Sequence, residues 1–317
     1  MKKFISSKIV YITKPAALHL PRRMKREQAI NWALFSLLAL IWGSSFILMK
    51  WSKEALNGYQ IGATRIFFAG MFFLPAAVVH ITQIKRSKLA WVALSGFLGN
   101  LLPAFLFGLA IEHHIDSALA GILNSLTPLF VIVIGALFFN AGFRKQKITG
   151  VLIGFAGLVI LSLSKNGGIS TTNLNYAFLI LIATISYGLN VNVVTQFLKG
   201  IEPIKMATVS LVLMAIPAGV VMVQQHVFSI LQYDEAARVP IAAAALLGVM
   251  GSAVATALFY VLIKRAGGLF ASLVTYAIPA VAIFWGLVAH ENITLLQVGC
   301  LAIILGGVYV VNKKPKT

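Results

Sequence analysis

Polar side chains are scarce inside the long apolar runs of this sequence, and the few that occur there fall at matched places. Trp42 is followed by Gly43-Ser44-Ser45, and Tyr187 by Gly188-Leu189-Asn190, with Asn192 two residues on. Each aromatic stands about twelve residues into an apolar run of roughly 20, the length that crosses a bilayer as helix, so both fall near mid-membrane. Hydroxyl and amide groups beside a large ring can orient a small ligand whose body rests on that ring. The competing reading is packing, because small residues let helices approach and aromatics fill gaps. Asn100, Asn124, Thr127, Tyr260, Tyr276 and Trp285 could line the same space, and interhelical hydrogen bonding explains each of them equally well.

Arg65 is the only basic residue placed within a span, roughly 9 Å from its outer end at about 1.5 Å per residue. A guanidinium at that depth needs a compensating partner. Two are open: a structural carboxylate, Glu54 or Glu112, or the carboxylate of a substrate, which arginine grips with two parallel hydrogen bonds.

Groups that titrate near neutral pH occur in Glu112-His-His-Ile-Asp116 and in His290-Glu291. Proton coupling through Glu112, Asp116 or Glu291 is therefore an open expectation, although no acid lies near mid-membrane. A metal site is not expected, since neighbouring residues in one short loop seldom present tetrahedral geometry and Cys300 is the only cysteine. The histidines lie in tails, loops or helix ends, which argues against a membrane enzyme. No glycine-rich loop leads into Lys-Ser/Thr, so no nucleotide-hydrolysis engine and no cofactor is expected.

The elements that must position these residues follow from composition. At 317 residues, 59% hydrophobic and 11% charged, the chain has too little polar surface for a soluble body, and it reads as an all-α integral membrane protein. Spans are expected at 31–50, 59–82, 89–110, 117–139, 148–164, 175–197, 206–225, 241–263, 269–289 and 294–312, ten transmembrane helices in all. The formal charge of +18 would suit nucleic acid in a soluble protein, but the basic residues sit in the breaks between spans. Twenty-one Lys and Arg fall on the side of the N-terminus and four on the other, which puts both termini in the cytoplasm. Residues 1–30 read as a basic cytoplasmic tail without a signal-peptide core; initiation at Met24, or a transit peptide, is the alternative.

The spans repeat. Pro128 and Pro279 are each followed seven residues on by glycine, Gly135 and Gly286, then by a polar break and Gly150 or Gly299. Two halves emerge, 31–164 and 175–312, and an odd number of helices per half makes them two inverted five-helix repeats. That architecture is common in secondary transporters, and it makes Pro128 and Pro279 hinge candidates, since proline weakens a helix locally.

The motifs together resemble the drug/metabolite transporter superfamily, in its EamA-like branch. The resemblance runs over about 30–312 and rests on Trp42-Gly-Ser-Ser-Phe, Ala63-Thr-Arg-Ile, Leu126-Thr-Pro-Leu-Phe and Ile278-Pro-Ala with Glu291 downstream. Asn140 stands where the family commonly has the first of two glutamates. The resemblance implies export or exchange of amino acids, related metabolites or drugs by alternating access in the inner membrane. The expected partners are a small-molecule substrate and the lipid bilayer, with a homodimer left open and no nucleic acid. A channel is the runner-up, but its lining would be continuously polar, which the sparse mid-membrane polar residues do not supply.

Overall fold

The structure, a computed structural model, describes residues 22–113, 115, 117–163, 176–288 and 294–313. Asp116, Glu291, His290 and the chain before Arg22 lie outside the described residues, as does the side chain of Trp285. All regular structure among the described residues is helical. Helix α1 is Arg22–Ser52, α2 Gly58–Thr82, α3 Arg86–Glu112, α4 Ala120–Phe138 and α5 Lys145–Leu163. Then follow α6 Ala177–Phe197, α7 Pro203–Gln224, α8 Arg238–Ala266, α9 Val274–Val288 and α10 Leu295–Asn312. Eight of these are long and apolar enough to cross a membrane, and α5 and α9 are apolar helices packed among them. Large apolar side chains such as Val78, Phe178, Ile216 and Leu137 stand exposed on the outside, as a lipid-facing surface requires.

Helix α1 begins at Arg22, inside the stretch read from sequence as tail. Arg26 and Glu27 are good helix formers, and the Arg265 guanidinium holds the first turns by an ion pair to Glu27 and a 2.9 Å hydrogen bond to the Asn31 side chain. At the opposite end of the molecule, α2 starts with a reciprocal cap in which Asn57 and Gln60 satisfy each other's backbone N–H groups. Glu112 accepts a 2.9 Å hydrogen bond from the Gly58 N–H, and Gln60 donates to the Gln225 carbonyl at 3.0 Å. Helix α4 is interrupted after Asn124 and resumes at Thr127, because Pro128 lacks an N–H and disfavours helix before it. Asn140, just past α4, has φ 49°, a left-handed conformation that asparagine tolerates better than a glutamate would.

Small residues set the helix pairings. Gly70 of α2 lies against Ala215 of α7, and Gly150 and Gly154 of α5 lie against Gly307 of α10. Two further contacts come as a matched pair. A Cβ on Gly43 of α1 would fall 2.6 Å from Val281 Cβ of α9, and a Cβ on Gly188 of α6 would fall 2.6 Å from Phe130 Cβ of α4. Val281 and Phe130 each stand two residues after the repeated prolines, Pro279 and Pro128.

Candidate functional site

The site is built around two stretches of π-helix, Phe97–Leu101 within α3 and Leu247–Val254 within α8. Each opens the i→i−4 ladder by one residue per turn and so turns the next side chains toward the neighbouring helices. The sequence around them matches: Ala93-Leu94-x-Gly96-x-x-Gly99 with Leu106-Phe107, and Ala245-Leu246-x-Gly248-x-x-Gly251 with Leu258-Phe259. Gly248 presses on the Arg65 carbonyl and leaves no room for a Cβ, while Gly96 presses on the Ser210 carbonyl in the same way. Helix α8 is thereby seated on α2 and α3 on α7.

Between them lies a cavity of about 130 Å³. A single water needs only about 10–15 Å³, so the space suits a small metabolite or several waters. Trp42, Ser45, Arg65, Tyr187 and Asn190 line it, together with Asn100, Asn124, Thr127 and Tyr260. The remaining sequence candidates fall elsewhere. Ser44 is not part of the lining, Asn192 faces a second cavity and bonds the Val131 and Gly188 carbonyls, and the Tyr276 hydroxyl donates to the Val151 carbonyl at 3.0 Å. Pro128 occupies the first turn of the resumed α4 and Pro279 lies inside α9. Glu112 is engaged at the start of α2, and no Asp or Glu lines the cavity among the described residues.

Aromatic walls close the cavity on two sides. Trp42 packs on Phe259 with ring centroids 5.4 Å apart, and Tyr187 packs near Phe107 at 6.4 Å. The Trp42 indole N–H donates to the Gly251 carbonyl at 3.0 Å, in the π-helical stretch of α8. Ser95 Oγ donates to Asn190 Oδ1 at 2.7 Å and lies 2.8 Å from the Tyr260 hydroxyl, tying α3, α6 and α8 together. Thr256 Oγ1 donates to Asn100 Oδ1 at 2.8 Å.

Three polar groups of the cavity lining remain unsatisfied or partly so. Arg65 Nε donates to Ser252 Oγ at 2.7 Å, yet among the described residues no carboxylate lies within ion-pairing distance of the guanidinium. Asn100 Nδ2 and Asn124 Oδ1 are buried without a partner. A buried orphan donor or acceptor costs roughly 1–3 kcal/mol, and both of these line the cavity together with Arg65.

The profile of the EamA-like transporter family matches residues 30–163 and again 174–313. The chain belongs to the EamA-like transporter family. An Archaeoglobus fulgidus protein described as an uncharacterized transporter is 26% identical over 90% of this chain and 99% of its own length. The uncharacterized inner membrane transporter YedA of Escherichia coli K12 is 26% identical over 92% of each chain. The S-adenosylmethionine uptake transporter of Rickettsia bellii is 24% identical over 41% of this chain and 44% of its own. A solved crystal structure shares the fold at TM-score 0.67 and 16% identity, covering 89% of this chain and 96% of that one. This EamA-like protein is thus a multi-pass membrane transporter with the cavity just described inside it.

Phe107, Phe259, the two π-helical stretches and the second cavity went unnoticed in the sequence. The signal that points to the first three is the repeated Ala-Leu-x-Gly-x-x-Gly with Leu-Phe downstream, which hydropathy does not reveal.

Proposed function

We propose that this protein is a secondary carrier, an exporter or exchanger, that moves small carboxylate-bearing amphipathic metabolites such as amino acids by alternating access. The observation that carries this reading is Arg65. It lines a cavity with no acid among its described lining residues, it keeps only its Nε on a protein hydroxyl, and its remaining donors suit a planar carboxylate. Trp42, Tyr187, Ser45 and Asn190 contact the rest of the substrate. Partial similarity to a protein described as an S-adenosylmethionine uptake transporter supports a metabolite bearing a carboxylate, while direction here is read as export or exchange.

The proposed frame is ten spans in two inverted halves, 31–164 and 175–312, with both termini in the cytoplasm of a cell whose inner membrane holds the protein. The reciprocity of the contacts supports it. Trp42 meets Phe259 and Tyr187 meets Phe107; Gly43 meets Val281 and Gly188 meets Phe130; Gly248 meets Arg65 and Gly96 meets Ser210. Each pair maps onto the other when the halves are exchanged, which is the property that lets exchange of their conformations turn one open side into the other. Pro128 and Pro279 are the hinges in this reading, and a proton partner, where there is one, is Glu112, Asp116 or Glu291.

The test is a thermal-shift panel of amino acids, organic acids, nucleosides and polyamines on purified protein, followed by counterflow of each hit in proteoliposomes. Stabilisation by carboxylates and saturable exchange support the carrier. Linear, non-saturating flux supports the channel.

A further inference from the structure

A second cavity, of about 540 Å³, lies at the end of the molecule formed by the start of α5, the turn before Gly268–Ser272 and the end of α10. Its charged lining is wholly basic: Arg144, Lys147 and Lys313, with no acid among the lining residues. None of the three is ion-paired among the described residues. Gln146 donates to the carbonyls of Val310 and Lys313 at 2.7 Å each, which fixes the end of α10 beside the start of α5 and so keeps the three cations around one mouth.

The two cavities share one wall residue, Val191 of α6. On one side of it α6 presents Tyr187 and Asn190 to the central cavity; on the other it presents Asn192, Thr195 and Gln196 to the basic one. Val191 is 2% exposed, Gly268 packs directly on its side chain, and Thr195 Oγ1 donates to its carbonyl at 2.6 Å, so the partition is held in place from both sides.

We propose that the basic cavity is an antechamber that collects anionic substrate and passes it to the central cavity across a partition formed by Val191. This rests on the reading of Arg65 as a carboxylate site, and extends it to the route: a monoanion meets three unpaired cations, then a neutral polar wall, then the apolar partition at Val191, then Arg65. Cationic solutes are turned away at the mouth, because a one-signed cleft with low-dielectric walls focuses its field on the opening.

The experiment needs no known substrate. Cys300 is replaced by alanine and Thr195→Cys introduced, and the purified protein is placed in zwitterionic nanodiscs so that no anionic headgroup competes. The rates of modification by sulfonatoethyl and trimethylammonioethyl methanethiosulfonate are then compared with those of a free small thiol. The anionic reagent is favoured on the order of tenfold over that reference, and the preference disappears in Arg144→Gln/Lys147→Gln/Lys313→Gln and shrinks at high salt. An unshifted ratio, or one that the triple variant leaves unchanged, overturns the antechamber.

The partition is read in membrane vesicles with the Arg144 end outward. Ser45→Cys is labelled by the impermeant anionic reagent more slowly than Thr195→Cys, and Val191→Ala speeds the former while leaving the latter alone. Val191→Thr, which keeps the side-chain shape, restores slow labelling. Equal labelling of Ser45→Cys whatever stands at position 191 overturns the gate. Because these rates do not depend on transport, a correct antechamber with no saturable carboxylate exchange would sink the carrier reading alone.

Discussion

Arg65 of α2 donates through Nε to Ser252 Oγ of α8 at 2.7 Å, a bond between residues 187 positions apart in the chain. It orients the guanidinium without neutralising it, and Ser252 stands buried within the π-helical stretch of α8. Glu112, one of the carboxylates that could have paired with Arg65, caps α2 at Gly58 instead, and Glu54 is exposed and forms no ion pair among the described residues.

Replacing Arg65 by lysine keeps the charge and removes the fork. Charge-assisted hydrogen bonds are worth roughly 1.5–3 kcal/mol each, so Arg65→Lys weakens transport of carboxylate substrates by about 10–100-fold and of neutral analogues far less. Melting of the variant stays close to that of the parent. Counterflow with a carboxylate and its amide measures the difference, and equal loss for both assigns Arg65 to structure.

Asn124→Leu should separate stability from function in the opposite sense to an ordinary core mutation. It deletes a buried acceptor with no partner, a group that costs about 1–3 kcal/mol in the empty protein, so the unliganded melting temperature holds or rises. Asn100→Leu relieves the orphan Nδ2 but also takes the acceptor from Thr256, so its stability change is smaller. In both variants the stabilisation given by carboxylate hits in the thermal-shift panel falls. A drop in unliganded stability with ligand response intact would make these amides scaffold.

Cysteines at Lys88, Lys145 and Lys264, with Cys300 removed, are shielded from an impermeant thiol reagent in intact cells, whereas those at Asn57, Asp116 and Glu235 are labelled. The hydrogen bonds run within these two sets of loops: Lys88 donates to the Phe197 carbonyl at 2.7 Å, and Asn57 donates to Gln225 at 3.3 Å. Labelling of the first group breaks the proposed ten-span frame.

Much of the helix arrangement could be read from the sequence, since a run of apolar residues between basic breaks is a strong and local signal. Trp42, Ser45, Arg65, Tyr187 and Asn190 were found because a polar group in hydrocarbon stands out, and the cavity gathers all five. Ser44 was grouped with Ser45 by adjacency, but successive residues on a helix point about 100° apart and only one of them reaches the lining. The π-helical stretches left no trace in hydropathy, because one extra residue in a turn shifts direction without changing apolarity. The basic cavity was hidden for another reason: Arg144, Lys147 and Lys313 read as orientation signals, and only the fold shows that they line one cavity.

The most direct test is saturable counterflow in proteoliposomes of the best carboxylate hit, comparing the parent with Trp42→Ala and Tyr187→Ala. Both rings line the cavity and pack on Phe259 and Phe107, so truncation removes substrate contact from its two walls. The predicted result is saturable exchange by the parent and its loss, by at least about tenfold per folded molecule, in each variant. Folded variants that exchange as fast as the parent, or flux in the parent that rises linearly without saturation, would contradict a substrate cavity between Trp42 and Tyr187.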